Sequence, residues 1–519
     1  MTKINKILDY FTMKNFECLL QGLLLLTNMS LIITLKVDAS FHPIKMIEMV
    51  GNVEEIDSFG ESIGTGDVNK DGYTDLIMGA PNKNFNTGGV YVIYGGPTTS
   101  LSDLDLATTV LDPLTTGFMI KRNVADEYFG GSVSTAGDID KDGYDDIIIG
   151  SRYGPVACVI YGRPKASTTN IDISTTALDP LTTGFMIKGN AAGDPFGWAV
   201  SRAGDINKDG YADVIIGAVE KNSYRGAAYV IYGGPKSSMS NIDLSAPLNP
   251  LTTGFKITGN AAGDNFGWPV SSVGDINKDG YSDVIIGAAD KNSYRGAAYV
   301  LYGGAKSSMS NIDLSTTTLD PLTTGFMITG KAAYDGLGSS VSCAGDVNND
   351  GYDDVIVGAS GGGGSKGAAY VIYGGPKSSM PNIDLSSTSL NPQTNGWMIT
   401  GSAAMEALGT SVSSAGDINK DGYDDVIVGA MGTGSLKGAA HVIYGGPKSS
   451  SSNIDLSVKA LDLSTTGFSI FGTATMDSIG RSVSAADVNN DGNSDLIVGG
   501  IGSSYTGRIY LFLSKEFWF

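Results

Sequence analysis

The chain has 519 residues, of which 72 are Gly, 41% are hydrophobic and only 17% are charged. This composition excludes an extended disordered chain and favours a packed structure with many turns. The formal net charge is −20 and no cluster of Lys and Arg is present, which argues against a nucleic-acid-binding protein because phosphate contacts need clustered basic residues.

Residues 1–39 are predicted to be a signal peptide or, alternatively, an N-terminal membrane anchor. Three lysines precede an apolar stretch at residues 19–35, and the small residue Ala39 suits cleavage before Ser40. A membrane anchor remains an alternative, because the length of the apolar stretch is close to the roughly 20 residues that a membrane-spanning helix needs. In either case we expect residues 40–519 to lie outside the cytoplasm, secreted or at the cell surface.

An Asp-rich nonamer recurs seven times along residues 40–519, with successive copies starting 67 to 71 residues apart. Each copy precedes two runs rich in Val, Ile and Tyr, separated by a Gly-rich turn, and then a polar stretch that leads to a GFMI-type run. Such runs bounded by Gly and Asn predict β-strands, and no window has a sustained helical period. We therefore predict an all-β protein, a seven-bladed β-propeller of four-stranded antiparallel blades. The nonamers begin at Asp67, Asp138, Asp205, Asp275, Asp346, Asp417 and Asp487.

The two ends of the chain are predicted to share one blade. The GFMI-type strand occurs six times for seven nonamers, and the sequence of the last blade ends after its third strand. Residues 44–50, which precede the first blade, have the composition of a strand. We predict that this N-terminal strand completes the last blade and closes the ring, leaving no open array edge.

Each nonamer predicts a calcium site. It reads Asp-x-Asn/Asp-x-Asp-Gly-Tyr/Asn-x-Asp, with side-chain oxygens at positions 1, 3, 5 and 9, a backbone carbonyl at position 7 and Gly for a sharp turn at position 6. The absence of Cys and His argues against zinc and copper, and Mg²⁺ demands a tighter octahedron. Position 12 is apolar and strands flank the loop, so an EF-hand is not predicted. The alternative is that Asp, Asn and Gly only form turns. A turn needs only one or two such residues, whereas the full spacing recurs in all seven nonamers.

We predict about seven Ca²⁺ ions, one per blade, which would change the formal charge from −20 to −6. The predicted ligands of the first four loops are Asp67, Asn69, Asp71, Tyr73, Asp75, Asp138, Asp140, Asp142, Tyr144, Asp146, Asp205, Asn207, Asp209, Tyr211, Asp213, Asp275, Asn277, Asp279, Tyr281 and Asp283. The predicted ligands of the last three loops are Asp346, Asn348, Asp350, Tyr352, Asp354, Asp417, Asn419, Asp421, Tyr423, Asp425, Asp487, Asn489, Asp491, Asn493 and Asp495.

The order Phe-Gly, Asp loop, Gly-Ala-Pro resembles the FG-GAP repeats of integrin α-subunit propellers. The first repeat carries the whole signature in Phe59-Gly60, the nonamer and Gly79-Ala80-Pro81, and later repeats drift from it. Integrin α-subunits continue beyond the propeller, so pairing with an integrin β-subunit is not implied for this chain. FG-GAP repeats also accompany a glycosylphosphatidylinositol-specific phospholipase D, in which a separate domain is catalytic.

The resemblance implies that partners bind the face opposite the calcium loops. On that face, blades three and four repeat the segment KNSYRG, so Tyr224, Arg225, Tyr294 and Arg295 are candidate ligand-binding residues, with Trp198 and Trp268 beside them. The alternative is that these aromatic side chains pack between blades.

No catalytic motif is present in the sequence, and of its two histidines, His42 and His441, the second is expected to be packed in a strand. We therefore predict a binding protein and not an enzyme. The favoured function is calcium-dependent adhesion or binding of a protein or glycan ligand on a cell surface or matrix. The alternative is a calcium-dependent structural component of an envelope or extracellular matrix.

Overall fold

The computed structural model describes residues 36–37, 45–52, 57–189, 195–219, 224–361, 366–432, 436–473, 475–502 and 506–514. The predicted signal peptide, residues 1–39, lies outside these residues except for the backbone of Lys36–Val37, so its boundary stays a prediction. His42 also lies outside them. The described chain forms seven sheets, one for each nonamer, and the predicted seven-bladed β-propeller is confirmed.

Four antiparallel strands form the body of every blade, as predicted, because each repeat supplies alternating apolar runs and turns. The first strands are Ile63–Gly66, Phe129–Gly137, Phe196–Gly204, Val270–Gly274, Leu337–Gly345, Leu408–Gly416 and Ser482–Ala486. The second strands are Asp75–Ala80, Asp146–Ser151, Asp213–Ala218, Asp283–Ala288, Asp354–Ala359, Asp425–Ala430 and Asp495–Gly500. The third strands are Gly89–Ile93, Val156–Ile160, Ala227–Ile231, Ala297–Leu301, Ala368–Ile372, Ala439–Ile443 and Arg508–Leu513. The fourth strands of blades one to six are Gly117–Lys121, Gly184–Lys188, Gly254–Thr258, Gly325–Thr329, Gly396–Thr400 and Gly467–Phe471.

The fourth strand of blade seven comes from the N-terminal part of the chain. Lys45–Val50 pairs antiparallel with Arg508–Leu513 over six residues, from Lys45 opposite Leu513 to Val50 opposite Arg508. Ile47 and Met49 are buried there in a core cluster that also contains Phe59 of blade one. The predicted closure of the ring by the N-terminal strand is therefore confirmed.

Each sheet also has a fifth, two-residue edge strand that the sequence does not reveal. In six blades this strand comes from the polar connection that follows the third strand of the next blade around the ring, and it pairs parallel with the fourth strand. In blade six the edge strand is Lys36–Val37, which pairs antiparallel. The edge strands from the connections are Leu104–Asp105, Ile171–Asp172, Ile242–Asp243, Ile312–Asp313, Ile383–Asp384 and Ile454–Asp455.

Helical structure in the described residues is limited to short turns. Two four-residue turns, Lys83–Asn86 and Lys291–Tyr294, connect second and third strands. Three 3₁₀ turns, Lys165–Ser167, Lys236–Ser238 and Lys377–Ser379, begin the polar connections. This agrees with the lack of a helical period in the sequence.

Apolar side chains of neighbouring blades pack face to face and form the core between them. Between blades two and three, for example, Ile148, Val159 and Phe185 of blade two share one buried core cluster with Ile216 and Ile231 of blade three. The antiparallel order places the connections between strands one and two, and three and four, at one end of the ring. The connections between strands two and three, and those between blades, lie at the other end.

Candidate calcium-binding loops and the opposite face

Each predicted calcium loop is the connection between the first and second strands of its blade. The first Asp holds the loop closed: in blade three, Asp205 Oδ1 accepts a hydrogen bond from the N–H of Asp209 at 3.0 Å, and its Oδ2 accepts one from Gly210 at 2.8 Å. The same two bonds form in the other six blades. Gly210 has a φ of +87°, which favours Gly, so the motif's sixth position permits the turn.

The ninth Asp of each loop is fully buried at the start of the second strand. In blade three Asp213 Oδ2 accepts the N–H of Ile206 at 3.0 Å and its Oδ1 accepts the N–H of Gly233 at 2.8 Å. Burial raises the pKa of this carboxyl group well above its ordinary value, and the neighbouring carboxylates of Asp209 and Asp205 add to the effect. A buried carboxylate beside other carboxylates is an environment that a bound cation would stabilise.

The third position supplies an unpartnered oxygen in four loops. In blade three, Asn207 donates its Nδ2 hydrogen to Asp213 Oδ2 at 2.8 Å, whereas its Oδ1 is buried and has no hydrogen-bond partner. Buried polar atoms in proteins nearly always have partners, so these oxygens are suited to a cation. In blades six and seven the equivalent oxygens of Asn419 and Asn489 accept the N–H of the fifth Asp at 3.0 Å. The unpartnered oxygens are Oδ1 of Asn69, Asn207, Asn277 and Asn348.

Blade two has a carboxylate at the third position. Oxygens of Asp138, Asp140 and Asp146 lie within 4.8 Å of one another. Burial raises the pKa of Asp140, and the charge of Asp142 raises it further. The atoms of these three residues that could bind a metal are all oxygens, so they fit a hard cation such as Ca²⁺ and do not fit zinc or copper. The ammonium group of Lys236 also lies 3.2 Å from Asp140 Oδ2.

On the opposite face, the structure separates the two predicted arginines from the two predicted tyrosines. Arg225 donates Nε to the carbonyl of Gly259 at 2.6 Å and forms an ion pair with Asp313 of the edge strand. Arg295 pairs in the same way with Asp384. These guanidinium groups therefore fasten each blade to its edge strand.

The two predicted tyrosines are exposed and lie in different surroundings. The exposed fractions of Tyr224 and Tyr294 are 52% and 53%. Tyr294 stacks on Tyr334, with 6.0 Å between ring centroids and 12° between ring planes. Tyr224 instead lies beside Trp198 and Trp268 and lines a pocket with them.

This pocket, which we call the upper pocket, has a volume of about 370 Å³. Its three central rings form a row: the centroid of Trp198 lies 5.4 Å from that of Trp268 and 5.2 Å from that of Tyr153, both in edge-on contact. Trp268 remains 42% exposed. The alternative of complete packing between blades therefore does not describe this tryptophan. The lining residues are Tyr153, Pro195, Trp198, Val219, Tyr224, Asn265 and Trp268.

A charged group continues this row around the ring, and the sequence analysis missed it. Arg152 places its guanidinium carbon 5.9 Å from the ring centroid of Trp198 and donates Nη2 to Glu61 Oε1 at 2.8 Å. Arg481 of blade seven donates to the same oxygen at 2.6 Å. A sequence signal exists, because Glu61, Trp198 and Arg481 all occupy the residue after Phe-Gly, or Ile-Gly, in their repeats.

His441 is packed, with 3% of its surface exposed. Its Nδ1 lies 2.8 Å from Ser469 Oγ, and its Nε2 lies 3.6 Å from Glu406 Oε1. Glu406 also accepts a hydrogen bond from Ser402 Oγ at 2.8 Å. This pair is buried within blade six and does not line the upper pocket.

Comparison with known families identifies the repeats. The FG-GAP repeat family matches seven segments of the chain, one in each blade. The chain is thus an FG-GAP repeat β-propeller, and the predicted resemblance to integrin α-subunits is confirmed. The matched residues are 59–93, 129–167, 196–231, 266–301, 338–372, 408–443 and 479–512.

Three relatives illustrate this similarity. Integrin alpha pat-2 of Caenorhabditis elegans is 33% identical over 42% of this chain and 18% of its own length. Integrin alpha-4 of Xenopus laevis is 28% identical over 55% of this chain and 23% of its own. Phosphatidylinositol-glycan-specific phospholipase D of Bos taurus is 31% identical over 42% of this chain and 24% of its own. The matches thus span less than a quarter of the length of these relatives. Among the described residues, no helix is long and apolar enough to cross a membrane.

Proposed function

We propose that this protein is a calcium-binding, extracytoplasmic propeller that binds a protein or glycan ligand through the face opposite its calcium loops. The observation that carries the calcium proposal is the buried, unpartnered amide oxygen at the third loop position, beside the buried Asp at the ninth. An arrangement of buried oxygens without donors is unfavourable unless a cation is present. The similarity to integrin α-subunits supports a role in binding.

Calcium binding is tested by measuring the metal content of the dialysed protein with elemental analysis. We expect seven Ca²⁺ per chain, and six after the double substitution D205N/D209N in blade three. The matched control is Asp243→Asn, because Asp243 is an exposed Asp in an edge strand and belongs to no loop. A protein that retains no Ca²⁺ under these conditions contradicts the proposal.

The upper pocket is the proposed ligand surface. Tyr and Trp side chains provide a large contact area with few rotatable bonds, and both residue types dominate binding energy at interfaces. The exposed faces of Tyr224 and Trp268 are therefore suited to the flat surfaces of a peptide or a sugar. Arg225 and Arg295, which the sequence predicted as ligand-binding residues, are not expected to contact the ligand directly. Their guanidinium groups form ion pairs with carboxylates of the edge strands.

Ligand binding is tested by screening the calcium-loaded protein on glycan arrays and on extracellular-matrix proteins. We expect Trp268→Ala and Tyr224→Ala to abolish a detected interaction while the melting temperature is retained. Leu251→Ala is the control, because Leu251 is 60% exposed but lies in the connection leading into a fourth strand, at the calcium end. Calcium-dependent self-association without any ligand supports the alternative of a structural component instead.

A further inference from the structure

In five of the seven predicted calcium loops, the Asp at the fifth position forms an ion pair with a lysine from the connection of the neighbouring blade. In blade five, Asp350 at the fifth loop position has its Oδ2 2.6 Å from Nζ of Lys448, which lies in the connection of blade six. The same lysine lies over the ring of Tyr373, with Nζ 4.9 Å from the centroid. Two independent contacts therefore hold the ammonium group at the loop.

The arrangement repeats with nearly constant geometry. Each lysine lies five residues after a third strand and contacts the fifth Asp of the preceding blade at 2.6 to 2.8 Å. Each also lies 4.4 to 4.9 Å from the centroid of a tyrosine ring. The pairs are Lys165 with Asp71, Lys236 with Asp142, Lys306 with Asp209, Lys377 with Asp279 and Lys448 with Asp350.

The loop of blade seven differs. The residue at the lysine position is Thr98, whose Oγ1 accepts a hydrogen bond from Asn489 of that loop at 3.3 Å. Lys420 of blade six does contact loop seven, but its ammonium group donates to the carbonyl oxygen of Gly492 and not to a carboxylate. Within the described part of the chain, no lysine pairs with Asp491. For blade six, the corresponding connection lies at residues 515–519, outside the described residues.

From this difference we infer that the connection lysines are internal counter-cations that divide the calcium loops into two affinity classes. The inference rests on the proposed calcium binding. Each ammonium group pairs with at least one of the carboxylates predicted to bind Ca²⁺, so it partly neutralises the loop when metal is absent and repels a divalent cation when metal binds. Loops one to five are then the weaker sites, and loop seven is a tighter one.

A competition titration of Ca²⁺ against a chromophoric chelator tests this inference. We expect loop seven to bind Ca²⁺ about tenfold more tightly than loops one to five, as a unit charge next to a divalent ion near a protein surface produces. Thr98→Lys should reduce the affinity of loop seven to that of the weaker class. Replacing the five lysines by Met should make the weaker sites about tenfold tighter, because Met keeps the apolar contact with the tyrosine ring but removes the charge.

Although removal of the lysines should strengthen Ca²⁺ binding, it should destabilise the metal-free protein. The five-fold Met variant should melt at a lower temperature than the parent in excess EDTA, since its loop carboxylates lose their counter-cation. If that variant does not fold, Lys448→Met and Thr98→Lys, each tested alone, retain the test. Seven equivalent sites, or lysine variants with unchanged or weaker Ca²⁺ binding, overturn the inference but leave calcium binding intact. Absence of any Ca²⁺ binding overturns the proposed function as well.

Discussion

Glu61 of the first blade and Arg481 of the last blade form an ion pair across the closing seam of the ring, with 2.6 Å between Oε1 and Nη2. Arg152 of blade two contacts the same oxygen at 2.8 Å. Glu61 is nearly buried, so its carboxylate joins three consecutive blades around the ring. Two sets of contacts therefore close the ring. The first is the backbone pairing of Lys45–Val50 with the third strand of blade seven. The second is this charged cluster, which lies on the face opposite the predicted calcium loops.

The first prediction concerns Glu61→Gln. The substitution leaves two partly buried guanidinium groups without their counter-charge, and we expect a loss of about 2 kcal/mol in the free energy of unfolding, discounted for the partial exposure of both arginines. Urea denaturation measures this loss. Lys188→Gln is the control, because the Lys188–Asp243 pair is 3.8 Å long with both side chains more than half exposed. Equal stabilities of the two variants contradict the prediction.

The same carboxylate gives a second prediction, on pH dependence. Burial acts to raise the pKa of Glu61, but the charges and hydrogen bonds of Arg152 and Arg481 outweigh it and hold the pKa below its ordinary value. The folded state then binds fewer protons than the unfolded state, so this stabilisation is present above about pH 4.3 and is lost as the pH falls below it. We expect the stability difference between the parent and Glu61→Gln to shrink in this range, as measured by melts at a series of pH values.

The third prediction concerns the N-terminal strand. Ile47 is fully buried in the seam core, so Ile47→Ala should cost about 2–5 kcal/mol through lost burial and the cavity left behind. Met46→Ala, one residue away with 37% of its surface exposed, is the control and should cost less than about 1 kcal/mol. Denaturant melts compare the two. A loss for Ile47→Ala as small as that of the control would mean that Lys45–Val50 is dispensable for the ring.

Much of this fold follows from the sequence because one unit is repeated seven times. The period, the alternating apolar runs and the single missing GFMI-type strand predict the blade number and the closure by residues 44–50. The edge strands do not follow, because a two-residue segment such as Ile312–Asp313 has no period of its own and its pairing is set by tertiary contact with Ile257 and Thr258.

The surroundings of the candidate ligand-binding residues were likewise not predictable from the sequence. The repeated segment KNSYRG indicates a shared role for its members, but Arg225 pairs with Asp313, 88 residues further along the chain. Such a partner is brought close only by the fold, so its effect on the arginine cannot be seen in the local sequence. The position of the Asp-rich loops between the first and second strands is easier to predict, because each loop is a continuous segment of nine residues. Calcium binding by these loops stays a prediction.

The fourth prediction concerns removal of metal. In the absence of calcium, burial and neighbouring carboxylates raise the pKa of the ninth-position aspartates, to about 8 for Asp75, Asp283 and Asp354. The pKa of Asp in the unfolded chain is about 3.9. Above this pH the folded state therefore binds more protons than the unfolded state, and its stability falls as the pH rises through about 8. We expect the melting temperature in excess EDTA to fall between about pH 5 and pH 8.5.

Excess Ca²⁺ should abolish this fall, because the ion binds the ionised carboxylates of the folded state and stabilises it by mass action. Scanning calorimetry at several pH values, with EDTA and with Ca²⁺, measures both effects. A melting temperature that is the same in both solutions at every pH contradicts the assignment of the loops as calcium sites.

The last prediction concerns the Gly of the Gly-Ala motif, which touches the next blade. A Cβ added at Gly217 would lie 1.8 Å from the carbonyl oxygen of Gly267, the Gly of the Phe-Gly motif in blade four. Backbone atoms cannot give way locally, so Gly217→Ala should separate the two blades and cost about 3 kcal/mol or more. Gly263→Ala is the control: its Cβ meets nothing within 4 Å, and only its φ of +84° is unfavourable, at about 1 kcal/mol. Denaturant melts that rank the two variants in the reverse order would mean that the paired glycines of the FG-GAP repeat do not set the distance between blades.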